Sequence, residues 1–329
     1  MADNVHEKWL QWNREYGHVF QTRKRLAPAF RPEAVSLQYP YFAKHLTNLI
    51  KLLDAAAGGN NPVDMSSLHV RLTLDFMGDI AYGVELDALS EGGECRIVKL
   101  LDTILPELMK CGFFPLRSKI PILARTREMH RAIAEIRMMA ENAIQNARQN
   151  RGDSSESEEK PSNRIFDILT RQKEPDGNFT FSSKELVDNY VAGADTTAHT
   201  MSFLIYEVLR NPDILATLHS ELDARIPFGV KIPSLEQVKL PYSGMLLKET
   251  LRYNSTGFGT FRICPQDTEI SSTVPPANTT LALWNPAVHR DPRLWKDLDT
   301  FDPERWRSNE RKMRGSYFPF YYGPRNCLG

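Results

Sequence analysis

Phe320-Tyr321-Tyr322-Gly323-Pro324-Arg325-Asn326-Cys327-Leu328-Gly329 is the stretch from which the rest of the sequence is best read. It sets one cysteine between two glycines, with an arginine two residues before the sulfur. Gly323 lets the backbone turn tightly, and Gly329 lets a bulky group lie close to the chain. Arg325 supplies positive charge that lowers a thiol pKa and pairs with carboxylates. A thiolate held in such a loop is a good soft metal ligand. A buried structural cysteine in a turn is the alternative that a lone cysteine leaves open.

The remaining sequence narrows the classes to which such a loop can belong. The 329 residues are 41% hydrophobic and 25% charged, enough to bury a large core. Forty-one basic and 41 acidic residues cancel, so no global electrostatic attraction to nucleic acid or an anionic membrane is expected. Eighteen glycines and 21 prolines are near average usage, which excludes collagenous and Pro/Gly-rich low-complexity chains. Four scattered cysteines, Cys95, Cys111, Cys264 and Cys327, form neither a disulfide framework nor a zinc-type CxxC pair. The N-terminus lacks the apolar region of a secretory signal. No stretch approaches the ~18 consecutive apolar residues of a bilayer-spanning helix, so the chain as written is expected to be soluble or peripheral.

Upstream of the loop, periodicity predicts helices followed by a small β portion. From Asp64, the residues Leu68, Leu72, Phe76 and Ile80 make one apolar stripe that fades at Gly83. Ile122 to Asn150 has no internal Gly or Pro and predicts one long amphipathic helix. Residues 151–163, RGDSSESEEKPSN, read as a flexible linker between two helices of one domain. Ser182 and Glu185 fit a capping box, opening a helix that runs to Arg210 before Asn211 and Pro212 stop it. Such a helix is about 40 Å long. Helices at 212–225 and 242–253 follow, and from about residue 260 the segments TFRICP, TEISS and TTLALW predict short strands.

Four further groups carry chemistry. Ala192-Gly193-Ala194-Asp195-Thr196-Thr197 breaks helix rules mid-helix, because Gly and paired β-branched residues both weaken it. Tight helix packing explains this, or a Thr hydroxyl that turns back to a carbonyl and leaves a groove for water or ligand. Glu249 and Arg252 lie three apart on one helix face, where a surface ion pair is the default. His289-Arg290-Asp291-Pro292 offers no chelating pattern, so the histidine reads as structural. The run Arg23-Lys24-Arg25 reads as a solvated helix face.

The cysteine loop resembles, at every fixed position, the F-x-x-G-x-R-x-C-x-G haem-ligand loop of the cytochrome P450 family. Five fixed residues coincide by chance about once in 10⁷ starting positions. That resemblance implies a mainly α fold with a small β portion (α+β) and a haem cofactor, with Cys327 as the axial iron ligand and Phe320, Gly323, Arg325 and Gly329 shaping the cofactor loop. Ala192–Thr197 resembles the family's A/G-G-x-D/E-T-T/S motif, which makes Asp195 and Thr196 a proton-delivery pair and favours oxygen activation over isomerase-like chemistry. Pro303-Glu304-Arg305-Trp306 resembles its P-E-R-F segment with Trp for Phe, which brings Arg305 into a structural charge triad with Glu249 and Arg252. Arg262 stands where an arginine usually reaches a haem propionate. Gly17 to Phe30 resembles the G-x-x-W-x-x-x-R helix, with Phe20 for Trp and Lys24 for Arg, so that Lys24 offers a propionate a point charge and not a guanidinium fork.

By that resemblance, residues 1–329 are one partial domain, lacking segments at both ends that full-length relatives carry. The implied function is haem-dependent monooxygenation: dioxygen is activated to hydroxylate a small apolar organic substrate, with electrons from an NADPH-dependent flavoprotein reductase. The thiolate favours O–O cleavage. A monomer is expected, and for the full-length relative an endoplasmic reticulum membrane location. The alternative is a non-functional fragment that binds no haem. Asn254-Ser255-Thr256 also lacks the proline common after the E-x-x-R helix.

Overall fold

A computed structural model describes residues 26–59, 61–90, 95–113, 124–152, 164–166, 183–257, 259–307, 315–323 and 326–328. Among these, the helices are α1 (Pro32–Ser36), α2 (Tyr39–Ala57), α3 (Met65–Tyr82), α4 (Arg96–Phe113), α5 (Ala124–Gly152), α6 (Ser183–Arg210), α7 (Pro212–Arg225), α8 (Pro241–Tyr253) and α9 (Asn285–His289). One antiparallel pair, β1 (Gly259–Ile263) with β2 (Thr280–Trp284), precedes and follows the turn-rich segment between them. The architecture is mainly α with a small sheet, as the periodicity predicts. The chain divides into two compact units, residues 1–199, 231–235 and 327–329 in the first, and 200–230 and 236–326 in the second.

The first unit grows from α3. The Asp64 carboxylate accepts from Ser67 N at 3.0 Å and caps its start, while Gly83, at φ +67°, ends it in the left-handed region. Leu72, Leu74 and Ile80 are buried, and so are two acids the apolar stripe does not announce, Asp75 and Asp79. Asp75 takes the backbone N–H groups of Ala88 and Leu89 at 2.6 and 3.0 Å, folding the loop after α3 back onto it. Burial pushes the Asp79 carboxyl up, but His45 at 3.2 Å, Arg164 at 2.7 Å and the nearby Lys44 outweigh it and hold the group below the usual carboxylate range. Around these acids, Ile97, Leu100, Leu101 and Ile104 of α4, Met129 and Ile136 of α5, and Phe166 form one apolar core.

In the second unit, α6 ends where the sequence predicts it. Asn211 Nδ2 donates to Glu207 O at 2.7 Å, and Pro212 opens the next helix, where its missing N–H costs nothing. Glu221 of α7 caps α8, accepting from Tyr242 N at 2.7 Å and Ser243 N at 2.9 Å. Tyr242, Leu246, Trp295, Phe301 and Trp306 make this unit's core with Val208.

Two expectations are revised. TEISS is no strand: an isolated bridge, Ile270 with Thr273, closes around Ser271 at φ +56°, and Pro275 and Pro276 beyond it have no N–H for a ladder. Of residues 151–163, Arg151 and Gly152 belong to α5, and the rest lie outside the described residues. Ser182 also lies outside them. Among the described residues no helix is long and apolar enough to cross a membrane.

Candidate functional site

α6 brings Asp195 and Thr196 to the first unit beside the fully buried Ala194, which packs into that unit's core. Gly193 is explained by packing: a Cβ there would stand 2.7 Å from Met77 Cε of α3. Thr196 Oγ1 donates to Ala192 O at 2.6 Å, the turned-back hydroxyl expected of this motif, while α6 stays helical from Ser183 to Arg210. The Asp195 carboxylate is about one quarter exposed (24%) and lies 3.3 Å from His199 Nδ1, one turn on. His199 Nδ1 also lies 2.9 Å from the Asp195 carbonyl. The neighbouring carboxylate pushes the imidazole up to about 9 against the opposing effect of burial, so the ring is a cation at neutral pH.

Cys327 belongs to the same unit and is exposed. Its neighbour Leu328 packs against the apolar core that also holds Ala194. Leu328 beside Cys327 and Ala194 beside Asp195 are thus anchored in one core, while the Cys327, Asp195 and Thr196 side chains lie outside it.

The run-up to Cys327 is organised within the second unit. Gly323 turns at φ +86°, which glycine adopts without strain, but Tyr321 sits at φ +64°, which costs a residue with a Cβ about 1 kcal/mol. Its hydroxyl donates to Gly259 O at 2.8 Å and holds it there. A Cβ on Gly257 would meet Pro319 O at 3.2 Å, so the backbones approach closely at this point. The buried Asn285 donates to both Gly257 O and Phe318 O at 3.2 Å. His289 Nε2 accepts from Phe318 N at 3.2 Å, which leaves Nδ1 to carry the hydrogen shared with Ser255 Oγ at 2.9 Å. Burial, reinforced by the Arg252 charge, pushes this histidine down to about 4. The aromatic that holds the loop is therefore Tyr321, whereas Phe320 is half exposed.

Glu249 is the hub of the second unit. Fully buried, it accepts from Arg252 Nη2 at 2.7 Å and Nε at 3.0 Å, from Arg305 Nε at 2.9 Å, from Asp302 N at 3.1 Å and from Trp306 Nε1 at 3.0 Å. The two arginines spend their other donors on the carbonyls of His289, Lys296, Asp297, Leu298 and Thr300. One carboxylate and two guanidinium forks so fix the irregular segment between α9 and Trp306.

Arg262, on β1, donates through Nη1 to Thr260 Oγ1 at 2.6 Å and to the Phe261 carbonyl at 2.8 Å. Lys24, Arg325 and Gly329 lie outside the described residues. Sequence reasoning missed His199, Asn285, Tyr321 and the use made of Asn254-Ser255-Thr256. There Asn254 Nδ2 donates to Glu207 Oε1 at 3.0 Å, Ser255 meets His289, and Thr256 Oγ1 lies 3.1 Å from Thr200 Oγ1. Polar ties replace the missing proline's stiffness. Among the described residues, no group of three or more His, Cys, Asp and Glu is placed to chelate a metal ion.

Comparison with known proteins accounts for this combination. Residues 8–329 match the family model described as Cytochrome P450. Cytochrome P450 3A28 of Bos taurus is 26% identical over 337 aligned positions, covering 97% of this chain and 64% of its own length. Cytochrome P450 3A41 of Mus musculus is 28% identical, with 93% and 63% covered. The chain thus spans a little under two thirds of these curated relatives. Among solved structures, a cytochrome P450 (CYP102L1) superposes with a TM-score of 0.78 at 24% identity, over 94% of this chain and 70% of that one. The cytochrome P450DA heme domain gives 0.77 at 23%, over 93% and 66%.

Proposed function

Because the chain belongs to the cytochrome P450 family, we propose that it supplies the thiolate and the proton-handling residues of a haem monooxygenase that hydroxylates a small apolar organic substrate with dioxygen. The observation that carries this reading is the shared core of the first unit, in which Leu328 beside Cys327 and Ala194 beside Asp195 and Thr196 are both anchored.

The residues present fit a haem. An exposed cysteine thiol outside any three-residue chelating group among the described residues suits a haem iron, which needs one protein ligand and no chelating cluster. Cys327 would hold the iron, and Phe320, Gly323, Arg325 and Gly329 would shape its loop. Arg262 and Lys24 would offer positive charge to the propionates. When bound, haem supplies the redox chemistry that activates dioxygen.

This chain's own residues then manage protons and water. Asp195 holds a carboxylate at the surface of α6. The Thr196 hydroxyl, whose hydrogen goes to Ala192 O on an exposed part of the helix, is suited as an acceptor to a hydrogen bond from water. Together they order water beside the reacting centre and pass protons toward it. Glu249, Arg252 and Arg305 touch no reacting atom in this reading and brace the approach to the cysteine loop. We place the electron source in an NADPH-dependent flavoprotein reductase and the site of action at the endoplasmic reticulum membrane, with the protein as a monomer and residues 1–329 within one domain.

The test is Thr196→Ala in haem-loaded protein supplied with reductase. Product formed per NADPH consumed is expected to fall as reducing equivalents divert to peroxide. Unchanged coupling would remove Thr196 from the proton path.

A further inference from the structure

His199 lies outside the motif through which Asp195 and Thr196 were found, and no role above uses it. Its geometry is specific. One ring nitrogen, Nδ1, faces two acceptors of the same residue, the Asp195 carbonyl at 2.9 Å and the Asp195 carboxylate Oδ1 at 3.3 Å. Neither acceptor carries a hydrogen, so Nδ1 does, and it shares that hydrogen between them. The contact therefore fixes where the carboxylate stands relative to the helix backbone, which a surface ion pair between two long, mobile chains does not. One turn earlier, Thr196 Oγ1 is fixed in the same way on Ala192 O. Two consecutive residues of α6 are thus each locked against the backbone, one by its own hydroxyl and one by a histidine.

We propose that His199 is a positioning residue for Asp195, holding its carboxylate oriented beside Thr196 for proton delivery. The inference rests on the monooxygenase reading for the meaning of that orientation, but the pair itself is built from the chain's own residues. Among the described residues, the charged group acting on His199 is Asp195. The ring's titration therefore reports the pair directly: protonation is retained to about pH 9 with Asp195 present and returns toward the ordinary imidazole value of about 6.5 without it.

The experiment has two readouts. Histidine-labelled protein is titrated by NMR as wild type, as Asp195→Asn and, for assignment, as His199→Asn. The His199 resonance is expected to titrate near 9 and to fall toward ~6.5 in Asp195→Asn. Equal titration near the ordinary value in both proteins would overturn the pair. In haem-loaded enzyme, His199→Ala is expected to raise peroxide released per NADPH by about fivefold, the worth of one ordinary hydrogen bond in a partly exposed, solvent-screened pair. His199→Asn, whose amide donor reaches nearly the position of Nδ1, is expected to recover most of the coupling. Wild-type coupling in His199→Ala, once NMR has shown the pair in the wild type, would overturn the positioning role. Absence of a thiolate-type haem spectrum in the wild type would instead overturn the monooxygenase reading, with the NMR result standing.

Discussion

Arg305 Nε lies 2.9 Å from Glu249 Oε1, although the two residues are 56 apart in the chain. Both side chains are buried, at 7% and 0% exposure, and Arg252 shares the same carboxylate. A buried carboxylate that accepts from five donors is costly to replace. Glu249→Gln leaves two guanidinium groups with a neutral acceptor, and the expected cost is about 3–5 kcal/mol. Urea unfolding of the second unit's tryptophans measures it. A change below about 1 kcal/mol would show that the network is incidental.

Trp306→Phe is a milder version of the same experiment. The ring still packs between Trp295 and Tyr317, at centroid distances of 5.8 and 4.6 Å, but the indole hydrogen bond to Glu249 Oε2 is lost. About 1.5–3 kcal/mol is expected, the range for a hydrogen bond to a charged group. The same unfolding measurement should rank it below Glu249→Gln.

His289 makes stability depend on pH. Its folded value of about 4 lies below the ordinary 6.5, so between these values the unfolded chain binds the proton and the folded chain does not. The contribution is complete above about pH 6.5 and is lost as pH falls toward 4, by an amount on the order of 3 kcal/mol. Subtracting the unfolding free energies of His289→Gln from those of wild type across this window should show that slope. A flat difference would mean that the imidazole is not buried neutral.

Gly193 tests whether the motif's glycine serves packing. A Cβ would stand 2.7 Å from the flexible end of Met77, so Gly193→Ala offsets a small displacement against the ~1 kcal/mol that alanine gains in a helix. Gly193→Val cannot be relieved so easily and is expected to cost about 1–3 kcal/mol. Met77→Ala in the same chain should recover part of that loss in thermal unfolding, and additivity of the two substitutions would contradict the contact.

Much of this was legible in the sequence because it rests on local rules. Asp64 and Gly83 bracket α3 through a cap and a left-handed stop, and Asn211-Pro212 divides α6 from α7, each readable from a few adjacent residues. Glu249 and Arg252 share a helix face by spacing alone, and the P-E-R-W segment pointed to Arg305. What stayed illegible depends on long-range placement or on choosing among equivalents. TEISS alternates like a strand but has no partner edge among the described residues. Asp75 and Asp79 look like surface acids until the loop after α3 and Arg164 fold onto them. Tyr321 lies between two other aromatics, and only its left-handed backbone and the Gly259 carbonyl single it out. His199 was visible at helical spacing from Asp195, and that spacing was the signal that could have found it.

The central claim is that Cys327 is the protein ligand of a haem iron. Reduced, haem-supplied protein exposed to carbon monoxide tests it most directly. The strongly red-shifted Soret band of thiolate-ligated haem is expected in the wild type and absent in Cys327→Ser. A wild type that shows only free-haem absorbance, unchanged by Cys327→Ser, would contradict the account.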